Sequence, residues 1–371
     1  MPSTQIRQTV IRSARRIVVK IGTNALTDGN GRLDEAFLRT FCGQISRVIA
    51  QGRSVTLVSS GAIGAGMAEL DLPGRPKTLP LLQATAAVGQ GQLMRTFHDA
   101  FAAHGLKVAQ ILVTRDDFQD RTRYLNIRNT IVTLADYGVV PVINENDAVA
   151  VDELRFGDND IIAALLTTML RAELLVLLSN VDGVMKDGSV LDVIDEVNPS
   201  SLSLATAGRS RLGSGGMTSK MSSAGMVTKA GDVVVVANAR APEVLERLLA
   251  GEKVGTVFVP AARRLSGRRS WIGQASRPAG RVVLDDGAAR AILQSGKSLL
   301  PSGITAVTGR FAKGATVLLV DASGRQLARG LTNYSAEQID KIKGLKTAQI
   351  ARVLGEKPYD EVIHRNNMTL L

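Results

Sequence analysis

Up to about residue 260, short, continuously apolar runs alternate with longer segments in which apolar residues recur every three to four positions. Arg16–Ile21 is the first such run and ends at Gly22. Asp34 then stands where a helix cap is wanted, ahead of a stripe of Phe37, Leu38, Phe41, Ile45, Val48 and Ile49 that Gly52 closes. A strand over Ser54–Ser59 leads into Gly61 and a helix of small residues, and a long helix over Leu79–Ala103 ends at Gly105. Strand Val108–Val113, helix Tyr124–Tyr137, strand Val139–Ile143, helix Asp160–Leu170 and strand Leu174–Leu178 follow. After a loop-rich stretch come a helix near Lys220–Lys229, strand Val233–Val236 and helix Pro242–Ala250. Strands that are apolar at successive positions are buried on both faces. The pattern therefore predicts an α/β three-layer sandwich, a mostly parallel sheet between helices.

The pattern changes near residue 261. Arg263-Arg264-Leu265-Ser266-Gly267-Arg268-Arg269 is polar and basic, as an inter-domain linker is. Beyond it, turn residues crowd together at Asp285-Asp286-Gly287, Ser302-Gly303, Thr308-Gly309 and Asp321–Gly324, which predicts a small β-rich domain with one or two helices. The predicted domains are residues 12–265 and 276–371, with no internal repeat.

Composition narrows the function classes. Of 371 residues, 45% are apolar, which excludes a disordered chain. A single cysteine, Cys42, excludes a disulfide framework, and His98, His104 and His364 lack metal-ligand spacing, so no metal-ligating residue is expected. No apolar run reaches the ~18 residues of a membrane span. Arg7, Arg12, Arg15 and Arg16 interrupt any signal-peptide core, and a cytoplasmic enzyme is expected. The net charge is +11, and +8 of it falls from Gly267 onward. Such a tail suits either an anionic partner, nucleic acid included, or a merely solvated basic surface.

Ligands of α/β sheets bind at the carboxyl ends of strands, and five segments there carry polar or small residues. In Lys20-Ile21-Gly22-Thr23-Asn24, a lysine at the end of an apolar strand either meets an anion or snorkels to the edge. Ser59–Gly66 is either an open helix N-terminus for an anion or a closely packed helix without a ligand; its glycine order is G-x-x-G-x-G, not the dinucleotide fingerprint. Asn144-Glu145-Asn146-Asp147 is either a polar ligand's grip or a polar turn. In Gly157-Asp158-Asn159-Asp160, Asp160 either caps the following helix or orients lysines or a magnesium ion. Gly213–Lys220 is either a polyphosphate loop delivering a lysine to a helix start or a loop with an incidental lysine. Gly296-Lys297-Ser298 imitates the end of a P-loop, but Ala291 stands where that motif needs glycine. With scattered histidines there is no nucleophile–base pair. Two lysines, two anion-ready loops and no covalent nucleophile point to phosphoryl transfer, which depends on positioning and charge neutralisation.

Together, Val18-Val19-Lys20-Ile21-Gly22-Thr23, Ser60-Gly61-Ala62-Ile63, Pro141–Asp147, Gly157–Asp160 and Gly213–Lys220 resemble the glutamate 5-kinases, a branch of the amino-acid kinase superfamily. Ser298–Ile304 and Thr308–Phe311 resemble the PUA domain appended to many members. The resemblance implies the amino-acid kinase fold with a PUA-like domain, and ATP-dependent phosphorylation of the γ-carboxylate of L-glutamate, the first step of proline biosynthesis. It implies Lys20 and Lys220 on the ATP phosphates with Asp160 holding both. Ser60, Asp147 and Asn159 would bind glutamate. Gly22 and Gly61 would offer backbone N–H groups to phosphoryl oxygens. Ser179, Asn180, Gly215, Gly216, Met217, Thr218, Ser219 and Lys220, with Lys20 and Gly22, would line the nucleotide site. Asn180 departs from the acidic residue common in the family. Also implied are Mg2+ carried mainly by ATP, feedback inhibition by proline, a homodimer or homotetramer, and coupling to the next enzyme of the pathway. Neither a membrane nor a nucleic-acid partner is implied.

Two rivals remain open at this point. One is an aspartate or acetylglutamate kinase of the same fold, which would lack this C-terminal pattern. The other is an RNA-binding protein, against which the tail offers only Trp271, Phe311, Tyr334 and Tyr359 for stacking.

Overall fold

The computed structural model describes residues 3–28, 32–150, 158–198, 201–203, 214–260 and 271–371. Gly157, Gly213 and the basic stretch Arg263–Arg269 lie outside the described residues. The chain divides into two compact units, residues 1–118 with 122–264 and residues 119–121 with 265–371.

Among the described residues the first unit has ten strands: β1 (Arg16–Ile21), β2 (Ser54–Val58), β3 (Lys107–Val113), β4 (Val139–Glu145), β5 (Leu174–Ser179), β6 (Met185–Lys186), β7 (Ser189–Val190), β8 (Val193–Ile194), β9 (Val233–Asn238) and β10 (Thr256–Phe258). Eight of them form one sheet in the order β3-β4-β2-β1-β5-β9-β10-β8, and β6 and β7 form a separate hairpin. Every neighbouring pair in the large sheet is parallel except β9 with β10. The central strands are buried along nearly their whole length, as their unbroken apolar runs require. From β1 the chain passes to β2 on one side and later to β5 on the other. That reversal opens a crevice beyond the carboxyl ends of these strands.

Alternation along β1 assigns its faces. Ile17, Val19 and Ile21 join a core with Phe41 of helix Glu35–Ala50, Phe97 and Phe101 of helix Leu79–Ala102, and Leu245 and Leu248 of helix Val244–Leu249. Val18 and Lys20 face the other way, where helix Asp158–Leu170 packs on β1 and helix Ser214–Ala230 packs on β9. Asp34 caps helix Glu35–Ala50 as its position predicts, accepting from the Phe37 N–H at 3.0 Å. Arg7 is buried: it donates to the carbonyls of Val254 and Gly255 and pairs with Asp192 at 2.9 Å, pinning the N-terminal helical turn to the far strands.

The Gly-rich segment after β2 divides into two roles. Gly61 has φ +102°, a left-handed conformation that turns the chain from β2 into helix Ala62–Glu69. Gly66 serves packing. A Cβ there would lie 1.8 Å from the Thr85 carbonyl oxygen, and a Cβ on Gly89 would lie 1.9 Å from that of Ala62. Helices Ala62–Glu69 and Leu79–Ala102 therefore cross backbone to backbone.

The second unit carries a five-stranded sheet of β11 (Gly280–Leu284), β12 (Ile304–Gly309), β13 (Thr316–Val320), β14 (Gln326–Leu331) and β15 (Met368–Leu370), in the order β12-β11-β13-β14-β15. Only β11 with β13 is parallel. Among the described residues three α-helices accompany it, Asp286–Ser295, Ala336–Ile342 and Ile350–Leu354, more than the one or two expected. The last two are single short pieces whose periodicity is too brief to read. Gly296 ends the first of them in a left-handed C-cap, so Gly296-Lys297-Ser298 is a helix exit, not a phosphate loop. Among the described residues no helix is long and apolar enough to cross a membrane.

Gly66→Ala and Gly89→Ala should each lower unfolding free energy by about 3 kcal/mol, the upper end for overpacking against backbone. Gly91→Ala, on the same helix with open space around its Cβ, should instead be neutral or stabilising by a few tenths. Urea titration of the three variants checks the contrast.

Candidate active site

At the carboxyl end of β1, Lys20 is buried together with Asp160 and Lys220. The Lys20 Nζ lies 2.8 Å from one Asp160 oxygen, and the Lys220 Nζ donates to the other at 3.1 Å. One carboxylate thus holds two ammonium groups. Burial opposes ionisation of Asp160, but the two ammoniums outweigh it and hold its carboxyl below the ordinary range. Burial, with the like charge of Lys220 adding to it, lowers the Lys20 ammonium pKa in spite of Asp160. The cluster has one more positive than negative charge. It therefore suits an incoming anion, and its net charge is least costly when an anion is present.

Asp160 is the third residue of helix Asp158–Leu170 and binds Lys20 of β1 and Lys220 of helix Ser214–Ala230, so it is not that helix's cap. Lys220 is not at the start of a helix after a glycine loop. Helix Ser214–Ala230 already includes Gly215, Gly216, Met217, Thr218 and Ser219, and Lys220 sits in its second turn, also reaching the Gly216 carbonyl at 3.4 Å. Two adjacent glycines are poor helix formers, which is why the segment reads as a loop. In the structure they occupy the first turn.

A second cluster adjoins the first through the neighbouring residue Asn159. Its Nδ2 donates to the Ser60 Oγ at 3.1 Å and to the Asn144 Oδ1 at 3.0 Å. Asn144, at the end of β4, also accepts the Glu145 N–H at 2.9 Å and donates to the Gln90 Oε1 at 2.7 Å. Ser60 and Asn159 are thus brought together. Asp147 lies in the turn after β4, and burial pushes its carboxyl up to about 6, against the opposing pull of Arg75.

The expectation for Gly22 is corrected. Its N–H donates to the Leu178 carbonyl at 3.2 Å, extending the β1–β5 ladder by one residue, and is not open to a phosphoryl oxygen. In the short helix Thr23–Leu26 that follows, the Ala25 and Leu26 N–H groups bond the Gly22 carbonyl at 3.1 and 3.3 Å. Ser179 ends β5, beside β1, and donates to the exposed Asn180 at 3.3 Å. Thr218 is exposed and Met217 partly so.

Sequence reasoning assigned no role to Gln90. The signal was present: Gln90 falls on the buried stripe of helix Leu79–Ala102 with Leu82, Ala86, Leu93 and Phe97, where an amide is out of place.

The amino acid kinase family model matches residues 15–238, and the PUA domain model matches residues 280–354. A curated glutamate 5-kinase of Caldanaerobacter subterraneus subsp. tengcongensis is 45% identical over 363 residues, covering 96% of this chain and 98% of that protein. The glutamate 5-kinase of Geobacter sp. strain M21 is 43% identical over 373 residues, 99% of this chain and 100% of the relative. Among solved structures, carbamate kinase from Giardia lamblia bound to AMP-PNP superposes on 67% of this chain and 100% of its own, at 19% identity and a TM-score of 0.48. With a family model spanning its larger unit and near-full-length relatives well above 30% identity, the chain belongs to the amino acid kinase family, in its glutamate 5-kinase branch with an appended PUA domain.

Proposed function

We propose that this chain transfers the γ-phosphoryl group of ATP to the γ-carboxylate of L-glutamate, giving L-glutamyl 5-phosphate and ADP, the first step of proline biosynthesis. The observation that carries the proposal is the Lys20–Asp160–Lys220 clasp at the sheet's switch point. The glutamate 5-kinase relatives support the choice of acceptor.

In the transfer, a γ-carboxylate oxygen forms the new P–O bond as the bond to the bridging oxygen of ADP breaks. The acceptor is already an anion, so no base is needed. Asp160 is not available as one, since both its oxygens rest on lysines. The obstacle is repulsion between carboxylate and triphosphate, and Lys20 and Lys220 offset it. Ser60, Asn159 and Asp147 hold glutamate, Asp147 through its ammonium. Ser179, Asn180 and Gly215–Lys220 line the nucleotide site, and Gly61 offers a backbone donor where β2 turns into its helix.

Magnesium rides on the nucleotide. The donor set at the clasp is two ammoniums and a carboxylate that both of them occupy, which suits phosphate oxygens and does not suit a cation. Feedback inhibition by proline, cytoplasmic location and coupling to the next enzyme of the pathway follow from the family. A homo-oligomer is supported by exposed apolar side chains at the β3 edge of the sheet, Leu112, and on helix Leu79–Ala102 that packs on β3, Leu81 and Val88. ADP release measured with glutamate, aspartate and acetylglutamate in parallel tests the acceptor: turnover with glutamate alone is expected, and preference for either other acid would refute it.

Lys20→Ala and Lys220→Ala should each lower kcat by ~10²–10³-fold in a protein that still melts cooperatively, because each removes a charge-assisted contact that strengthens in the transition state. For Asp147, the carboxylate is the form that pairs with an ammonium. With its carboxyl at about 6, kcat/KM for glutamate should fall as pH drops through that value. Asp147→Asn should have a raised glutamate KM, an unchanged ATP KM and no such titration.

A further inference from the structure

The amides around Asn144 form a chain whose polarity has one solution. A backbone N–H only donates, so the Glu145 N–H at 2.9 Å fixes the Asn144 side-chain oxygen as the acceptor on that side. The same oxygen faces Asn159 at 3.0 Å, so Asn159 presents its nitrogen there. Asn144 must then present its own nitrogen to Gln90 at 2.7 Å, and Gln90 must answer with oxygen. At the other end, the Asn159 nitrogen also donates to the Ser60 oxygen at 3.1 Å, which leaves the Ser60 hydroxyl proton to point elsewhere. Two polar ends remain. The Asn159 Oδ1 is buried with no hydrogen-bond donor among the described residues. The Gln90 Nε2 is likewise buried without an acceptor among them, on a side chain more than nine-tenths buried.

Gln90 is held in place by the backbone crossing next to it. Gly89 and Gly66 admit no Cβ, so the helix that carries Gln90 lies in backbone contact with helix Ala62–Glu69 and cannot move further inward. A core position chosen for stability alone would carry leucine or methionine, because half of this amide is buried without compensation. The half that is satisfied does one thing, which is to orient Asn144.

We propose that Gln90 is a positioning residue for acceptor specificity: by accepting from Asn144 it fixes the Asn144–Asn159–Ser60 chain, so that Asn159 keeps its nitrogen on Ser60 and holds its buried, unpartnered oxygen as an acceptor for the amino-acid head of the acceptor substrate. The proposal rests on the glutamate kinase reading given above. It places Gln90 outside contact with the phosphoryl group, so its loss acts on acceptor binding and not on the lysine clasp.

The test uses the full chain. Gln90→Met keeps the side-chain length and removes the acceptor. It should raise the glutamate KM about ten-fold while the ATP KM stays within about two-fold, consistent with one disrupted hydrogen bond. If Gln90 works through the chain, the double variant Gln90→Met/Asn159→Ala should be no worse for glutamate KM than Asn159→Ala alone. Multiplicative effects would overturn the proposal, as would an unchanged glutamate KM in folded Gln90→Met. Should that variant fail to fold, Gln90→Leu removes the same acceptor with a side chain that helices favour. The same selective rise is expected, and a rise in the ATP KM instead would refute the proposal. Absence of glutamate turnover in the unsubstituted protein would refute the kinase reading itself, a result distinct from any of these.

Discussion

One buried carboxylate between two lysines is the constraint on which the rest of this unit depends. Asp160 is 1% exposed and is worth burying only while both ammoniums stay beside it. Removing one partner from a buried ionic cluster typically costs about 3–5 kcal/mol, because the remaining charge is left uncompensated. The clasp therefore ties together β1 and the helices Asp158–Leu170 and Ser214–Ala230, three elements far apart in sequence. It also holds a surplus positive charge at the sheet's switch point, where an anion is the natural complement. Structural and chemical demands meet in the same three side chains.

Around that centre the unit separates two clusters. The charged one lies on the face of β1 away from the large aromatic core. The uncharged one joins Ser60 after β2, Asn144 at the end of β4 and Asn159, and in the proposed function it has the task of acceptor recognition while the lysines have that of charge neutralisation. Asn159 and Asp160 are adjacent on one helix and belong one to each cluster. A shift of that helix would thus disturb both tasks at once, whereas a change in the amide chain would disturb one. The crossing at Gly66 and Gly89 keeps the amide side in register, since neither helix can move inward or carry a larger residue.

Much of this was legible before any coordinates. The unbroken apolar runs of β1, β5 and β9 announce a doubly covered parallel sheet, and a lysine at the inner end of such a run announces an anionic partner. What local pattern left open were choices that only tertiary contacts decide. Asp160 reads equally well as a cap or a clamp, and the ion pairs to Lys20 and Lys220 decide for the clamp. Gly61 and Gly66 look alike in sequence, yet one supplies a left-handed turn and the other a helix crossing. Gly215-Gly216 reads as loop because glycine weakens helices, but the segment continues as helix through Lys220. Gly22 looked like a free donor because strand pairing beyond Ile21 has no sequence signature. Gln90 went unassigned because its partner, Asn144, is reached only through the fold.

The central claim is that Asp160 serves catalysis by holding Lys20 and Lys220 together, beyond its part in holding the fold. The most direct measurement is kcat of Asp160→Asn at saturating ATP and glutamate, taken alongside its thermal unfolding. The substitution keeps size and removes the charge that both ammoniums share. A cooperatively folded variant with kcat reduced by ~10²-fold or more is predicted, since misplaced lysines no longer meet the transferring group. A folded variant that turns over near the normal rate would contradict the account.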